Sequence, residues 1–327
     1  MILDVTRHKF YEGLITLLIF ATATVAAVWM SYGDVTTAAE VTTPPLGMLI
    51  NRFTVTYPTL AKIAILPLMV YAVLRLSRAT ARVSLYPQGT LAAIALASVT
   101  LFAIIPAEEY ATLTVVALLL SEAIGRLIYC FGPNVRAHYL FTAMLALGML
   151  PLVDGSLVIL TALIPTLTIL LRGTIRETVI TIVGTITPIF VCCYVLWLSG
   201  NSFAAPMETI RDSISIHSSE PFLAYLTLPR LIFVGTLLFL QLSSTILYFS
   251  NRTLISGNGR NIWFILQLSL VALVASLVAL GATTPAMVVA AAVLITPMIP
   301  MFFVCVSPFI SVTTYIVVII AAFVAQL

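Results

Sequence analysis

The chain has 327 residues, of which 61% are hydrophobic and only 8% are charged, with a mean hydropathy of +1.15. A soluble globular domain carries about 25% charged residues, so the composition excludes that class and indicates a polytopic membrane protein. The net charge of +3 is small, and the only lysines are Lys9 and Lys62. Without a basic tract, nucleic acid is excluded as a partner.

Apolar segments of about 20 residues can cross a bilayer, and this length divides the chain into ten or eleven predicted spans, with eleven favoured. The first resembles a signal anchor, because a short basic head precedes it, and this predicts a cytoplasmic N-terminus. The predicted positions are residues 13–31, 59–76, 89–106, 110–131, 135–151, a segment ending at 172, 178–199, 229–249, 261–281 and one or two spans within 283–327.

Three segments between or within these spans have predicted features of their own. Residues 32–58 form an outer loop whose stretch 46–53 is too short to span, which favours a helix lying on the membrane surface. Residues 200–228 form a second, long polar outer loop. The block 283–327 has room for two spans that turn near Ser307 and Pro308. The predicted fold is an all-α transmembrane bundle forming a single domain, residues 1–327.

Basic residues occupy alternate connections between the spans, which predicts the sidedness of the chain. Loops rich in Lys and Arg stay in the cytoplasm, so these connections are predicted to face the cytoplasm. The arginines concerned are Arg75, Arg78, Arg82, Arg136, Arg172, Arg176, Arg252 and Arg260. The other face collects eight of the twelve carboxylates, namely Asp34, Glu40, Glu108, Glu109, Asp154, Glu208, Asp212 and Glu220.

Ionisable side chains inside a span are costly and are therefore candidates for function. Glu122 is the only carboxylate well inside a predicted span, and Arg126 follows it by four residues, so both lie on the same side of one helix. The pair is interpreted either as a buried structural ion pair or as a proton or substrate site. Gln241 and Gln267 add polar groups at depth, for which hydrogen bonding between helices is the alternative to transport.

The outer face offers the second set of candidates. A carboxylate near a membrane surface can act as a general base or hold a metal, while arginines bind phosphate. Asp34 and Glu40 are the candidate catalytic residues. The candidate substrate-binding residues are Arg211, Asp212, His217 and Arg230. Simple solvation of these loops is the alternative, and no DxD, HExxH, GxSxG or P-loop motif assigns a reaction, metal site or cofactor.

Residues 143–200 carry short motifs that resemble a known group of sequences. They are Leu147-Gly-Met-Leu-Pro-Leu, the Arg-x-x-x-Arg-Glu turn beginning at Arg172, and a Gly-x-x-x-Pro helix beginning at Gly184. This pattern resembles an uncharacterised family of polytopic inner-membrane proteins in Bacteroidetes, which implies location and no activity. The layout also resembles C-type glycosyltransferases and polysaccharide polymerases, but these have an acidic motif in the first outer loop where this chain has only isolated Asp34 and Glu40.

Three hypotheses of function follow. The leading one is an inner-membrane protein of cell-envelope biogenesis with a cavity open to the outer face, where it binds membrane lipids and binds or transfers a lipid-linked glycan such as a polyprenyl-phosphate-linked one. A permease or flippase for a lipid or small apolar solute would instead have a path near Glu122, Gln241 and Gln267. A scaffold subunit of an envelope complex would use the basic turns and the surface helix for docking.

Overall fold

The computed structural model describes residues 10–30, 44–82, 85–86, 92–105, 109–131, 137–217, 227–251, 255–280 and 284–326. Its regular structure is entirely helical within these ranges. The helices are α1 Phe10–Met30, α2 Pro45–Thr56, α3 Pro58–Arg82, α4 Ala92–Ile104, α5 Tyr110–Cys130, α6 Ala137–Val153, α7 Val158–Arg172, α8 Ile175–Leu198, α9 Ala205–His217, α10 Leu228–Ser250, α11 Gly257–Leu280, α12 Pro285–Ile295, α13 Pro300–Cys305 and α14 Pro308–Val324. A single 3₁₀ turn, Gly155–Leu157, joins α6 to α7.

The bundle has the character of an integral membrane protein. Seven helical segments of the described chain are long and apolar enough to cross a bilayer, and four shorter apolar helices accompany them. Large apolar side chains remain exposed along α8, including Ile186, Phe190 and Val195. Such a surface suits lipid, because a helix satisfies its backbone hydrogen bonds internally and can expose apolar side chains to hydrocarbon.

The centre of the bundle contains α4 and α12. Residues 93–105 are buried throughout, and the segment Pro285–Cys305 is 78% buried, more than any other candidate span. The helix is interrupted between α12 and α13, where Pro297 and Pro300 lack the N–H groups that would continue it. Side chains from other segments bond the carbonyls here: the Tyr86 hydroxyl donates to Pro297 O at 2.7 Å, and the Ser244 hydroxyl donates to Ile299 O at 3.3 Å.

Two glycines allow α6 and α8 to pack closely. A Cβ atom at Gly148 would lie 2.2 Å from the carbonyl oxygen of Thr185, and one at Gly184 would lie 2.9 Å from the Cβ of Met144. Small residues permit such backbone approach between membrane helices. Pro188 lies buried inside α8, which continues through it.

Two short helices lie at the end of the bundle that carries the α6–α7 turn. Helix α2 contains the predicted surface stretch 46–53, and its Gly47 contacts the carbonyl oxygen of Val153 so closely that a Cβ would lie 2.6 Å from that atom. Helix α9 packs against the same turn, where a Cβ at Gly155 would lie 2.0 Å from Ser213 Oγ.

Helix α9 differs from the polar loop predicted for residues 200–228. It forms because Pro206, Ile210 and Ser213, spaced four and three residues apart, make one buried stripe on an otherwise polar helix. The division of the C-terminal block agrees with the two-segment alternative, since α13 ends at Cys305 and α14 begins at Pro308.

Candidate functional site

A charged cluster joins α3 and α5. Glu122 on α5 accepts a hydrogen bond from Arg75 Nε of α3 at 2.7 Å and a second, very short one from Arg126 Nε one turn further along α5. The Tyr71 hydroxyl donates to the same carboxylate at 3.2 Å. The side chain of Glu122 is 15% exposed, so the carboxylate is largely removed from solvent and held by charged donors on two sides.

Helical spacing and one glycine position this cluster. Tyr71 and Arg75 are four residues apart, as are Glu122 and Arg126, so each pair lies on one face of its helix. Gly125 of α5 faces α3, and a Cβ added to it would be 3.3 Å from Cγ of Arg75. The missing side chain leaves room for Arg75 to lie across α5 and reach Glu122.

The cluster has more positive than negative charge. Two guanidinium groups share the single Glu122 carboxylate, and both use their Nε atoms to do so. The terminal Nη atoms of Arg75 and Arg126 make no hydrogen bond with another described residue, although the Arg75 guanidinium lies 5.4 Å from the centroid of the Tyr129 ring. The side chains of Arg75 and Arg126 are 22% and 28% exposed, so a ligand can reach them.

A second ion pair lies at the same end of the bundle. Arg172, at the end of α7, contacts Glu177 with 3.4 Å between Nη2 and Oε1, and its guanidinium lies 5.2 Å from the centroid of the Phe131 ring. The Thr174 hydroxyl donates to Glu177 at 2.7 Å. Gly173 has φ +67°, a left-handed conformation that favours glycine and ends α7. We call the end carrying Arg75, Arg126 and Arg172 the basic end.

The other end of the α3–α5 pair has a cavity, which we call the α2 pocket. It has a volume of about 300 Å³ and is lined almost entirely by apolar side chains. Its lining residues are Leu49, Ile50, Phe53 and Thr54 of α2, Ala61, Ala64, Ile65 and Leu68 of α3, and Ala111, Thr114 and Val115 of α5. The volume is at the lower limit of the range for small-molecule pockets.

Thr114 is a deeply buried polar residue in the lining of the α2 pocket. The residue is 1% exposed, yet its hydroxyl makes no hydrogen bond with any described residue. Elsewhere in the bundle, buried threonines such as Thr100 and Thr168 donate to the carbonyl four residues before them. A buried hydroxyl without a partner costs free energy, which makes Thr114 a candidate contact for a polar atom of a bound molecule.

The α2 pocket and the charged cluster lie along the same helix faces. On α3, the pocket residues Ala61, Ile65 and Leu68 are spaced by four and three residues. Arg75 follows Leu68 by seven residues. On α5, Val115 precedes Glu122 by seven residues and follows Ala111 by four. These spacings keep residues on one side of a helix, so the two features lie along the same faces of α3 and α5.

A neutral polar group lies elsewhere, between α10, α11 and the α12–α13 interruption. Gln241 Nε2 donates to Gln267 Oε1 at 2.7 Å and lies 3.2 Å from Met298 Sδ, whereas Gln241 Oε1 is buried without a hydrogen-bond partner among the described residues. The Thr245 hydroxyl completes the group, donating to Gln241 O at 2.9 Å. Within the described ranges, no hydrogen bond or ion pair joins this group to Glu122.

The predicted outer-face residues lie on different elements of the chain. Asp34 and Glu40 lie outside the described residues, and so does the acidic loop around them. Arg211 and Asp212 are exposed on α9, of which His217 is the last residue, and α9 packs against α8 and the α6–α7 turn. Arg230 lies in the first turn of α10, which packs against α12, α13 and α14, and its Nε atom is buried with no hydrogen-bond partner in the described part of the chain.

The sequence did not identify Tyr71, Arg75 or the α2 pocket as parts of a site. Arg75 was interpreted only as a topology signal, although its spacing from Tyr71 and Leu68 marks one face of α3. Across the part of the chain that the structure describes, no three His, Cys, Asp or Glu side chains come together as a metal site would require.

The fold is that of a helical membrane protein with an apolar pocket and a charged cluster along one helix pair. Comparison with protein-family models, with curated proteins and with solved structures finds no match to this chain.

Proposed function

We propose that this protein binds the hydrocarbon chain of a membrane lipid in the α2 pocket and acts in the lipid metabolism of the bacterial cell envelope. The observation that carries this proposal is the apolar pocket of about 300 Å³ between α2, α3 and α5. Water gains little in such a cavity, because it finds few polar partners there, whereas an alkyl or prenyl chain fills it favourably.

The position of α2 supports a lipid as the ligand. Leu49 and Phe53 line the pocket from this short helix while remaining partly exposed on its outer side, so the helix separates the cavity from the surroundings by a single layer. An amphipathic helix at a membrane surface lies at the boundary between headgroups and acyl chains. A lipid chain reaches the pocket directly from that depth.

The sidedness predicted from the arginines specifies on which side of the membrane the lipid would bind. If the basic end faces the cytoplasm, the α2 pocket lies at the level of the outer leaflet. A polyprenyl-phosphate-linked glycan is then a candidate lipid, and Asp34 or Glu40 are the candidate catalytic groups of the outer face. Transfer of a glycan would depend on one of those two carboxylates.

The permease alternative has less support from the geometry. It needs a continuous polar path past Glu122, Gln241 and Gln267, and in the described chain Gln241 bonds to Gln267 whereas Glu122 bonds to arginines on α3 and α5. A scaffold role would leave the pocket without a specific occupant.

Photo-crosslinking tests the proposal. The full-length protein in bilayer nanodiscs is exposed to a long-chain alcohol that carries a diazirine near its end, and the labelled peptides are mapped. We expect labelling of α2, α3 and α5 next to the pocket and loss of most of it in Ala64→Phe, which fills the cavity. The matched control is Ala162→Phe, which adds the same ring on the exposed face of α7. Labelling that is uniform over the bundle, or equal in both variants, contradicts the proposal.

A further inference from the structure

The charged cluster on α3 and α5 contains one arginine more than an internal ion pair requires. Two arginines converge on Glu122, so the group carries one more positive than negative charge. Charge at membrane depth is costly unless it is compensated. We propose that Arg75 and Arg126 together bind the phosphate group of an anionic lipid, with Glu122 holding the two guanidinium groups in place.

The directions of the hydrogen bonds support this assignment. Both guanidinium groups bond Glu122 through Nε, the atom nearest the main chain, which leaves the terminal Nη atoms of each group for a ligand. A guanidinium presents its N–H groups as a rigid fork that matches two oxygens of a phosphate. Two such forks anchored on one carboxylate are a preorganised receptor for a tetrahedral anion.

Among the described residues, the other charged groups near this end do not already supply an anion. Glu177 is bonded to Arg172 and to the Thr174 hydroxyl, so its carboxylate is used within its own pair. Arg78, one turn after Arg75 on α3, is exposed and adds a further positive charge to the same end. The local balance therefore favours an external anion.

The depth of the cluster fits a lipid headgroup. Arg126 precedes the last residue of α5, Cys130, by four residues, which is about 6 Å along a helix axis. That distance places the guanidinium near the boundary between headgroups and hydrocarbon, where the long side chain of an arginine reaches phosphate oxygens.

The same faces of α3 and α5 carry both this headgroup site and the α2 pocket. Leu68, the pocket residue nearest to Arg75 in sequence, precedes it by seven residues or about 10 Å of helix, and Ala61 lies about 21 Å away. A long alkyl or prenyl phosphate whose phosphate binds at the basic end reaches the pocket with its chain. Its phosphate then lies on the face opposite to the one predicted for Asp34 and Glu40, so this ligand is an alternative to the glycan carrier considered for the outer face. This extension to one ligand rests on the proposed function, whereas the phosphate site itself does not.

The experiment compares two probes with identical hydrocarbon chains, a photoactivatable prenyl phosphate and the corresponding neutral prenyl alcohol, on full-length protein in neutral nanodiscs. We expect the phosphate to label the wild-type protein about tenfold more strongly, the ratio that one additional charge-assisted hydrogen bond provides. Arg126→Gln is expected to remove this preference and leave labelling by the alcohol unchanged. Arg126→Lys, which keeps the charge but loses the fork, is expected to retain part of the preference.

Three controls make the outcomes distinguishable. Arg78→Gln removes an exposed arginine from the same end, so an equal loss in that variant would show general charge attraction and overturn the proposal. Excess inorganic phosphate distinguishes the sources: competition at millimolar concentration would assign the site to a free anion instead of a lipid. If Arg126→Gln does not fold, labelling of the wild-type protein by the two probes is still a sufficient test. Equal labelling by the phosphate and the alcohol would reject the phosphate site.

The same measurements separate this inference from the proposed function. If Ala64→Phe removes labelling by both probes, the pocket binds the hydrocarbon chain whatever the arginines do. If phosphate-selective labelling persists in Ala64→Phe, the phosphate site stands and the hydrocarbon proposal fails. Loss of phosphate preference in Arg211→Gln or Arg230→Gln, but not in Arg126→Gln, would move the phosphate to the predicted outer-face residues and overturn the inference.

Discussion

Arg75 Nε lies 2.7 Å from Glu122 Oε2, although the two residues are on different helices and 47 positions apart in the chain. This bond ties α3 to α5 at the place where Gly125 removes the side chain that would keep the helices apart. The contact holds the two helices together and also forms the basis of the proposed headgroup site. These two roles can be measured separately.

A double-mutant cycle measures the structural role. Arg75→Gln and Glu122→Gln are each expected to lower the free energy of unfolding in detergent, because each leaves a largely buried charge with fewer partners. The coupling energy between them is expected to be about 1.5 kcal/mol, the size of a charge-assisted hydrogen bond. The cycle is measured by chemical denaturation. A coupling energy near zero would mean that Arg126 alone holds the carboxylate.

Gly47 offers a test of the α2 pocket from outside its lining. In Gly47→Ala the new methyl group would lie 2.6 Å from the carbonyl oxygen of Val153, so α2 must move away from α6. We expect a loss of about 1–3 kcal/mol in stability and a several-fold loss of labelling by the hydrophobic probe.

Gly235→Ala is the matched control for this variant. Gly235 also lies within a helix, α10, but a Cβ atom added there would meet no neighbouring atom within 4 Å. Its replacement is expected to be neutral or to stabilise by about 0.5–1 kcal/mol, because alanine has the higher helix propensity. Unchanged probe labelling in Gly47→Ala would show that α2 does not control access to the pocket.

The elements that the sequence predicted well are those determined by local spacing. A short helix, α2, covers the stretch 46–53, the turn near Ser307 and Pro308 separates α13 from α14, and Glu122 pairs with Arg126 one turn away. These features depend on segment length, proline positions and i,i+4 spacing, and all three can be read directly from the amino-acid sequence.

The features that the sequence did not predict depend on contacts between helices. Arg75 reaches Glu122 only because α3 and α5 run side by side in a particular register, and a single sequence does not contain that register. The α2 pocket arises from three helices that leave a gap, which no residue pattern records. Helix α9 has a single buried stripe on a polar segment, so hydropathy alone describes it as a loop.

Thr114→Val tests whether the unpartnered hydroxyl belongs to a binding site. Valine has nearly the same shape but no hydroxyl, so the variant removes a buried group that has no hydrogen bond among the described residues. We expect the stability of the lipid-free protein to rise by about 1 kcal/mol, while binding of a hydrocarbon probe with a polar group at that depth weakens.

Thr168→Val is the counterpart, since Thr168 is equally buried but its hydroxyl donates to Ile164 O at 2.8 Å. Its loss is expected to cost about 0.5–1 kcal/mol and to leave probe binding unchanged. Thermal unfolding in detergent, with and without added lipid, compares the two variants. Equal destabilisation in both would indicate that Thr114 has a partner and no ligand role.

Tyr86 supports the interrupted helix at the centre of the bundle. Tyr86→Phe removes the donor to Pro297 O, and a buried carbonyl without a partner is expected to cost about 1–3 kcal/mol. Burial raises the pKa of Tyr86, and the nearby side chain of Thr80 offsets this only in part. The phenol is therefore neutral in the folded protein.

The sign of the pH effect follows from this raised pKa. The contribution of Tyr86 to stability is complete below about pH 10, the ordinary pKa of tyrosine, and is lost as the pH rises above that value. The difference in unfolding free energy between the wild type and Tyr86→Phe is thus expected to be constant from neutral pH to about pH 10 and to shrink beyond it. A difference that already falls near neutral pH would contradict the buried, neutral phenol.

The contact between α6 and α8 gives the strongest expected destabilisation. In Gly148→Ala the methyl group would lie 2.2 Å from the carbonyl oxygen of Thr185 and 3.2 Å from Cδ of Pro188, and neither atom can rotate away because both belong to rigid parts of α8. The helices must separate, which gives up dispersion contacts along their whole interface. Since lipid is as apolar as the side chains, this packing is what holds two membrane helices together. We expect a loss of about 3 kcal/mol or more, measured by steric trapping or thermal unfolding in detergent, whereas Gly235→Ala retains full stability. A tolerated Gly148→Ala would mean that α6 and α8 are further apart than this structure has them.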